Sequence, residues 1–319
     1  MLDFSEISKP LSSDLENLNI FLKKATNTDV QLINTLSNHM IDSGGKRIRP
    51  IILILISKLL NNSKNVTESA AIIELIHAAT LLHDDVVDQS DFRHNIETAN
   101  NIWGNDSAVL VGDFLYSRAF ELIVKINKEK IYKILAETTN KISQGEVMQL
   151  MSKDKIIDNE EKYLQIIYLK TGKLFEASAI VAADLADYKE AEHLMRFGKY
   201  FGIAYQLRND YLDYFGDKKS TGKNVAEDLS EGKSTLPLIH SYIKSNDIDR
   251  KEIEKIFNGK IITQSDKLLG IFKKNKSDEY TRDKINYYSS KAIKSLDHFN
   301  GEHKKSLVNL TEFCSQRIK

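Results

Sequence analysis

Two short clusters of oxygen-bearing side chains carry the clearest chemistry in this chain. The first is Asp84-Asp85-Val86-Val87-Asp88 and the second Asn209-Asp210-Tyr211-Leu212-Asp213. Each sets its oxygen ligands at i, i+1 and i+4, a spacing that gathers them on adjoining parts of one helical face. Like charges held that closely repel, and beside a dry core they are costly unless a cation joins them. A hard divalent ion such as Mg²⁺ suits an all-oxygen set, and it normally completes its shell with water and substrate phosphates. Either cluster alone reads equally well as a solvated helix end. Two of them, on helices able to face each other, point to ions bridging to a polyanion. A third feature is Gly44-Gly45-Lys46-Arg47-Ile48-Arg49-Pro50, just before an apolar stretch. Its glycines let backbone come close to a ligand, Pro50 suits a first helical turn, and Lys46 and Arg49 supply positive charge.

The elements that must hold these groups are helical. Only Pro10, Pro50 and Pro237 are present, and each proline inside a helix would cost about 3 kcal/mol. Apolar residues recur at helical spacing, as in Leu15, Leu18, Phe21, Leu22 and in Leu110, Phe114, Leu115, Phe120. No stretch alternates like a strand for long. The pattern predicts an all-α bundle of about a dozen helices, with no Pro/Gly/Ser-rich linker to divide residues 1–319 into more than one domain. Residues 69–83 are apolar on nearly every face, the mark of a buried helix, and they run straight into the first acidic cluster. Residues 244–280 are the most polar and are expected to form surface helices and loops.

Composition narrows the class. With 319 residues, 41% of them apolar, a sizeable core can form and wholesale disorder is excluded. Lys plus Arg and Asp plus Glu number 45 each, so there is no global field for nucleic acid and any ligand charge must be met locally. The single Cys314 can form neither an internal disulfide nor a cysteine zinc site, which fits a reducing compartment. The first residues lack the apolar core of a secretory signal and the arginines of a transit peptide, and the apolar run Ile51 to Ile56 is too short for a bilayer. A soluble cytoplasmic protein is expected, with peripheral membrane association left open.

Taken in order, GGKRIRP, HAATLLHDDVVD, VGDFLYSRAF, QGEVMQL, LKTGKLFEAS, YQLRNDYLDY and GKNVAEDLSEGKSTLPL span most of the chain. On these blocks it resembles the trans-prenyl diphosphate synthases, and within them the bacterial long-chain, octaprenyl-making members. The resemblance implies the isoprenoid synthase fold, helices around a central cavity. It also implies Mg²⁺-dependent head-to-tail condensation of isopentenyl diphosphate onto an allylic diphosphate such as farnesyl diphosphate. Asp84 and Asp88, supported by Asp85, would hold Mg²⁺ on the allylic diphosphate, and Asn209, Asp210 and Asp213 a further ion, roughly two or three in all. Lys46, Arg49, His77 and His94 would bind isopentenyl diphosphate. Arg93, Lys170, Thr171, Gln206, Lys223 and Lys233 would surround the allylic diphosphate. Members are usually homodimers, and a long apolar product implies transfer to a membrane prenyltransferase, as for quinone side chains.

Product length follows from the helix before Asp84. Ala79 and Thr80 lie about one turn earlier, roughly 6–8 Å away. Short-chain relatives stop the tail there with an aromatic ring, so these small residues imply a product longer than farnesyl. Met148 and Met151 are candidates for a deeper floor. Two positions depart from the family pattern. His94 stands where a second arginine is usual, without a guanidinium fork. Asn209 stands where the second motif usually begins with Asp, and it brings no charge to its ion. That substitution also permits a class I terpene cyclase reading, since Asn209, Asp213 and Asp217 are spaced i, i+4, i+8. A cyclase would leave GGKRIRP and the later lysines without purpose. A non-catalytic partner subunit would suit the two departures but not the intact DDVVD.

Overall fold

The helical spacing of the sequence is realised along nearly the whole chain in the computed structural model, which describes residues 4–43, 45–93, 96–216 and 226–316. The early helices are α1 (Phe4–Ser8), α2 (Ser12–Thr26), α3 (Gln31–Asp42), α4 (Ile48–Leu59), α5 (Val66–Asp88), α6 (Ala99–Trp103) and α7 (Asn105–Ile126). They are followed by α8 (Glu129–Ser152), α9 (Glu160–Ile167), α10 (Lys173–Leu185), α11 (Glu192–Phe215) and α12 (Glu227–Ser230). The last are α13 (Leu236–Lys244), α14 (Asp247–Asn258), α15 (Ser265–Lys274), α16 (Ser277–Lys294) and α17 (Glu302–Gln316). The strands among the described residues are two short ones, β1 (Phe92–Arg93) and β2 (Ile96–Glu97), paired antiparallel with Arg93 opposite Ile96. The fold is all-α, as the sequence predicts.

The chain divides into two compact units, each assembled from separate stretches. The first comprises residues 1–139, 174–198 and 295–310. Its centre is α5, which packs along α7, α4 and α2. Ile51 through Ile56 of α4 are all buried, as are Ser69 through Ile76 of α5. Helices apolar on every side have no face to give to water, so they lie inside. Each such aliphatic side chain contributes about 1.5–3 kcal/mol by burial. Glu74 is the one carboxylate within that buried run of α5.

The second unit comprises residues 140–173, 199–294 and 311–319. One of its clusters gathers Ile157, Tyr163, Ile166, Leu207, Leu236 and Ile285 from five segments. In the polar stretch 244–280, α14 and α15 bury Ile253, Ile256, Phe257, Leu268 and Phe272 and leave their charged faces outward. Asn246 starts α14, its side chain accepting from the Asp249 N–H at 2.9 Å, the usual way an orphan helix donor is satisfied. Between α9 and α10 the backbone takes one wide π turn, Tyr168–Gly172. Such turns recur at functional positions because they re-aim side chains without ending the helix.

Candidate active site

In the first unit the chemistry-bearing residues lie on α4, α5 and the hairpin after α5. The GGKRIRP turn is fixed by its middle arginine. Arg47 takes a left-handed φ of 51° as the residue capping α4. Its guanidinium donates to the Glu74 carboxylate and to the Ile41 carbonyl, and both side chains of this ion pair are nearly buried, 12% and 8% exposed. Lys46 on one side is exposed, its ammonium 5.8 Å from the Phe4 ring. Arg49 on the other side lies over the Phe175 ring at 4.4 Å and donates to His77 Nε2 at 3.0 Å. Arginine can only donate, so His77 must accept there and carry its proton on Nδ1. Burial, reinforced by the guanidiniums of Arg49, Arg93 and Arg47, holds the His77 imidazole well below its ordinary range, in the same neutral state.

The first acidic motif closes α5. Asp84 and Asp88 remain half-exposed, whereas Asp85 is only 2% exposed. Asp85 Oδ1 accepts from Arg93 Nε at 3.0 Å and Nη2 at 2.7 Å. The chain can make that contact because Gln89 turns it with a left-handed φ of 55° and the β1–β2 hairpin carries Arg93 back. Burial pushes the Asp85 carboxyl above its ordinary range, against the pull of Arg93, and the charges of Asp84 and Asp88 push the same way. Asp85 is therefore engaged in holding Arg93, and Asp84 and Asp88 are the pair suited to a metal ion. One turn earlier, Ala79 has no exposed surface, while Thr80 is half-buried and donates to the His77 carbonyl at 2.7 Å.

In the second unit Lys170 and Thr171 sit on the π turn. Lys170 pairs with Glu146 of α8 at 2.7 Å. Gly145 makes that approach possible, since a Cβ there would lie 2.6 Å from the Lys170 backbone nitrogen. Thr171 donates to Gln206 Oε1 at 3.0 Å, and Gln206 Nε2 donates to Asp210 Oδ1 at 2.7 Å. The other oxygen of Asp210 accepts from the Tyr163 hydroxyl. Asp213 accepts from the backbone N–H groups of Glu227 and Asp228 at 3.1 and 3.2 Å, holding the start of α12. Both aspartates are buried, and of this motif Asn209 keeps partial exposure, with Arg208 donating to its carbonyl at 3.3 Å. Lys233 pairs with Glu231 at 2.7 Å. The preceding Gly232 has φ +73°, and a Cβ there would fall 2.0 Å from Asp154 Oδ1, so the EGK turn requires glycine.

Met148 packs beside the cluster that contains Tyr163, and Met151 is 70% exposed at the end of α8. His94 and Lys223 lie outside the described residues, as do Gly44, Asn95, Asp217 and the GKNV block. Among the described residues, no three His, Cys, Asp or Glu side chains converge as a ready-made metal cage. The donor set of the first motif nevertheless fits Mg²⁺, which takes one or two carboxylates and fills the remainder with substrate oxygens. The sequence reading passed over Arg47, Glu74 and Tyr163. For Glu74 a signal existed, an acid inside an apolar helix that demands a cationic partner; Tyr163 gave none.

The polyprenyl synthetase family model matches residues 30–273. The chain belongs to that family. Octaprenyl diphosphate synthase of Haemophilus influenzae is 39% identical over 322 residues, covering 99% of this chain and 98% of that protein. A decaprenyl diphosphate synthase from Rhodobacter capsulatus superposes with a TM-score of 0.93 at 30% identity, covering 99% of this chain and all of its own. A polyprenyl synthase from Caulobacter crescentus, solved with calcium and isoprenyl diphosphate, gives 0.93 at 34% identity over 99% and 98% of the two chains. The chain is thus similar over nearly its whole length to prenyl diphosphate synthases. No helix among its described residues is long and apolar enough to cross a membrane.

Proposed function

We propose that this protein is a Mg²⁺-dependent trans-polyprenyl diphosphate synthase. It adds isopentenyl diphosphate head to tail onto an allylic diphosphate, farnesyl diphosphate serving as primer, and its product is long, of octaprenyl class. The observation that carries the reading is the last part of α5: two half-exposed carboxylates at i and i+4, and small Ala79 and Thr80 one turn before them. The near-full-length likeness to an octaprenyl diphosphate synthase supports the long product.

Ionising an allylic diphosphate leaves negative charge on the departing group and a delocalised carbocation behind. Asp84 and Asp88, with Asn209 for a further ion, would hold Mg²⁺, which would supply electrostatic stabilisation of that departing charge. Arg93, held by Asp85, contributes to the same end together with Lys170, Thr171, Gln206, Lys223 and Lys233. Lys46, Arg49 and His77, with His94, hold isopentenyl diphosphate so that its double bond meets the allylic carbon, a positioning effect. No side-chain nucleophile is required. Leu110, Phe120 and Val124 are exposed along one side of α7, and an uncovered apolar stripe of that kind supports pairing with a second copy. A long prenyl tail is insoluble in water, so the product passes to a membrane prenyltransferase, consistent with quinone side-chain synthesis.

Incubating the purified protein with farnesyl diphosphate, labelled isopentenyl diphosphate and Mg²⁺ tests this directly. Long prenyl diphosphates are expected. Cyclic hydrocarbon would replace the reading with a cyclase, and no product at all would favour a non-catalytic subunit.

A further inference from the structure

The polar chain in the second unit runs on past the residues assigned to substrate, and its far end is a phenol. Asp210 is buried, and a buried carboxylate is stable only when its lone pairs are taken up. The Tyr163 hydroxyl takes one of its oxygens and Gln206 Nε2 the other. A carboxylate only accepts, so the amide nitrogen of Gln206 must face Asp210. Its oxygen must then face Thr171, whose hydroxyl donates to it. Tyr163 is itself fixed: it is 3% exposed and packed among Ile157, Ile166, Leu207 and Leu236.

We infer that Tyr163 is a positioning residue for the allylic diphosphate, acting through Asp210 on the orientation of Gln206 and Thr171. The inference rests on the proposal that Gln206 and Thr171 bind that diphosphate. Tyr163 touches no reacting group. Without its hydroxyl, one oxygen of a buried carboxylate loses the phenol donor, and the Gln206 amide beyond it loses part of the support that selects one of its two orientations.

The test is steady-state kinetics on the full-length enzyme, with farnesyl diphosphate and isopentenyl diphosphate varied separately. Tyr163→Phe is expected to raise KM for farnesyl diphosphate about tenfold, the scale of one hydrogen bond to a charged group. KM for isopentenyl diphosphate is expected to stay within about twofold of wild type, which a general loosening of the fold would not spare. Gln206→Leu is expected to raise the farnesyl diphosphate KM by itself. Adding Tyr163→Phe to it is expected to change nothing further, because the two act on one contact. If Tyr163→Phe does not fold, Asp210→Asn cuts the same chain one link nearer, and it is expected to show the same selective rise and the same non-additivity with Gln206→Leu. If Gln206→Leu leaves the farnesyl diphosphate KM unchanged, the ligand assignment falls and the inference with it. If Gln206→Leu is impaired but Tyr163→Phe is not, or if the two penalties multiply, the assignment stands and the positioning role is overturned.

Discussion

Glu74→Gln is the perturbation on which the account of the GGKRIRP turn depends most. Glu74 and Arg47 are 8% and 12% exposed, and the arginine ties the turn to both α5 and the Ile41 carbonyl. Glutamine keeps the shape and one acceptor oxygen, so the substitution removes charge and little else. It leaves a guanidinium nearly buried without its counter-ion. Breaking a buried pair from one side costs about 3–5 kcal/mol, and the retained acceptor puts this case near 3. For a chain of this size each kcal/mol moves the melting temperature by about 2 °C, so a fall near 6 °C is expected. Lys46 and Arg49 flank the anchored residue, so KM for isopentenyl diphosphate is expected to rise while KM for the allylic primer holds. The apolar double variant Arg47→Met/Glu74→Leu is expected to recover much of the stability without recovering that KM, because it restores a satisfied interior but not the anchor. Calorimetry and steady-state kinetics read both quantities. A melting temperature within about 1 °C of wild type for Glu74→Gln would refute the reasoning.

Four further outcomes follow from the geometry. Thr80→Phe is expected to shorten the product, read by chromatography of the dephosphorylated prenols. Ala79→Phe is expected chiefly to destabilise, by about 1–3 kcal/mol, since Ala79 has no exposed surface and a ring must displace packed neighbours. His77 is held neutral in the fold, with its pKa well below 6.5, so the unfolded chain takes up a proton first as pH falls. That contribution is fully present well above pH 6.5 and is progressively lost as pH falls below it, and urea titrations of wild type against His77→Gln measure the difference. Asn209→Asp is expected to lower the Mg²⁺ concentration giving half-maximal rate severalfold; an unchanged Mg²⁺ titration would remove Asn209 from the metal site.

The helices were legible because their causes are local. Three prolines, apolar residues at helical spacing and an all-round apolar run before Asp84 suffice to predict α4, α5 and α7. The motifs were legible as sets of ligands, since i, i+1, i+4 spacing fixes which residues share a face. Which member of each set meets solvent was not legible, because that depends on partners distant in sequence. Asp85 is taken by Arg93 across a hairpin, Asp213 by the start of α12, and Asp210 by a tyrosine 47 residues earlier. Arg47 reads as one more cation of a basic turn until Glu74 is found beside it, 27 residues on.

The two acidic motifs therefore share a spacing and divide their labour in opposite ways. In the first, positions i and i+4 are half-exposed and i+1 is consumed by Arg93. In the second, i+1 and i+4 are consumed, by Tyr163 and Gln206 and by the α12 backbone, and position i keeps partial exposure. That position is Asn209, so the accessible member of the second motif is its uncharged one. On the proposed metal role, a neutral ligand there would weaken the hold on an ion while leaving both buried aspartates, and the turns they organise, intact. The cost of the substitution would then fall on metal affinity and spare the fold. An added carboxylate at 209 is thus expected to act on the Mg²⁺ titration while the melting temperature stays close to wild type.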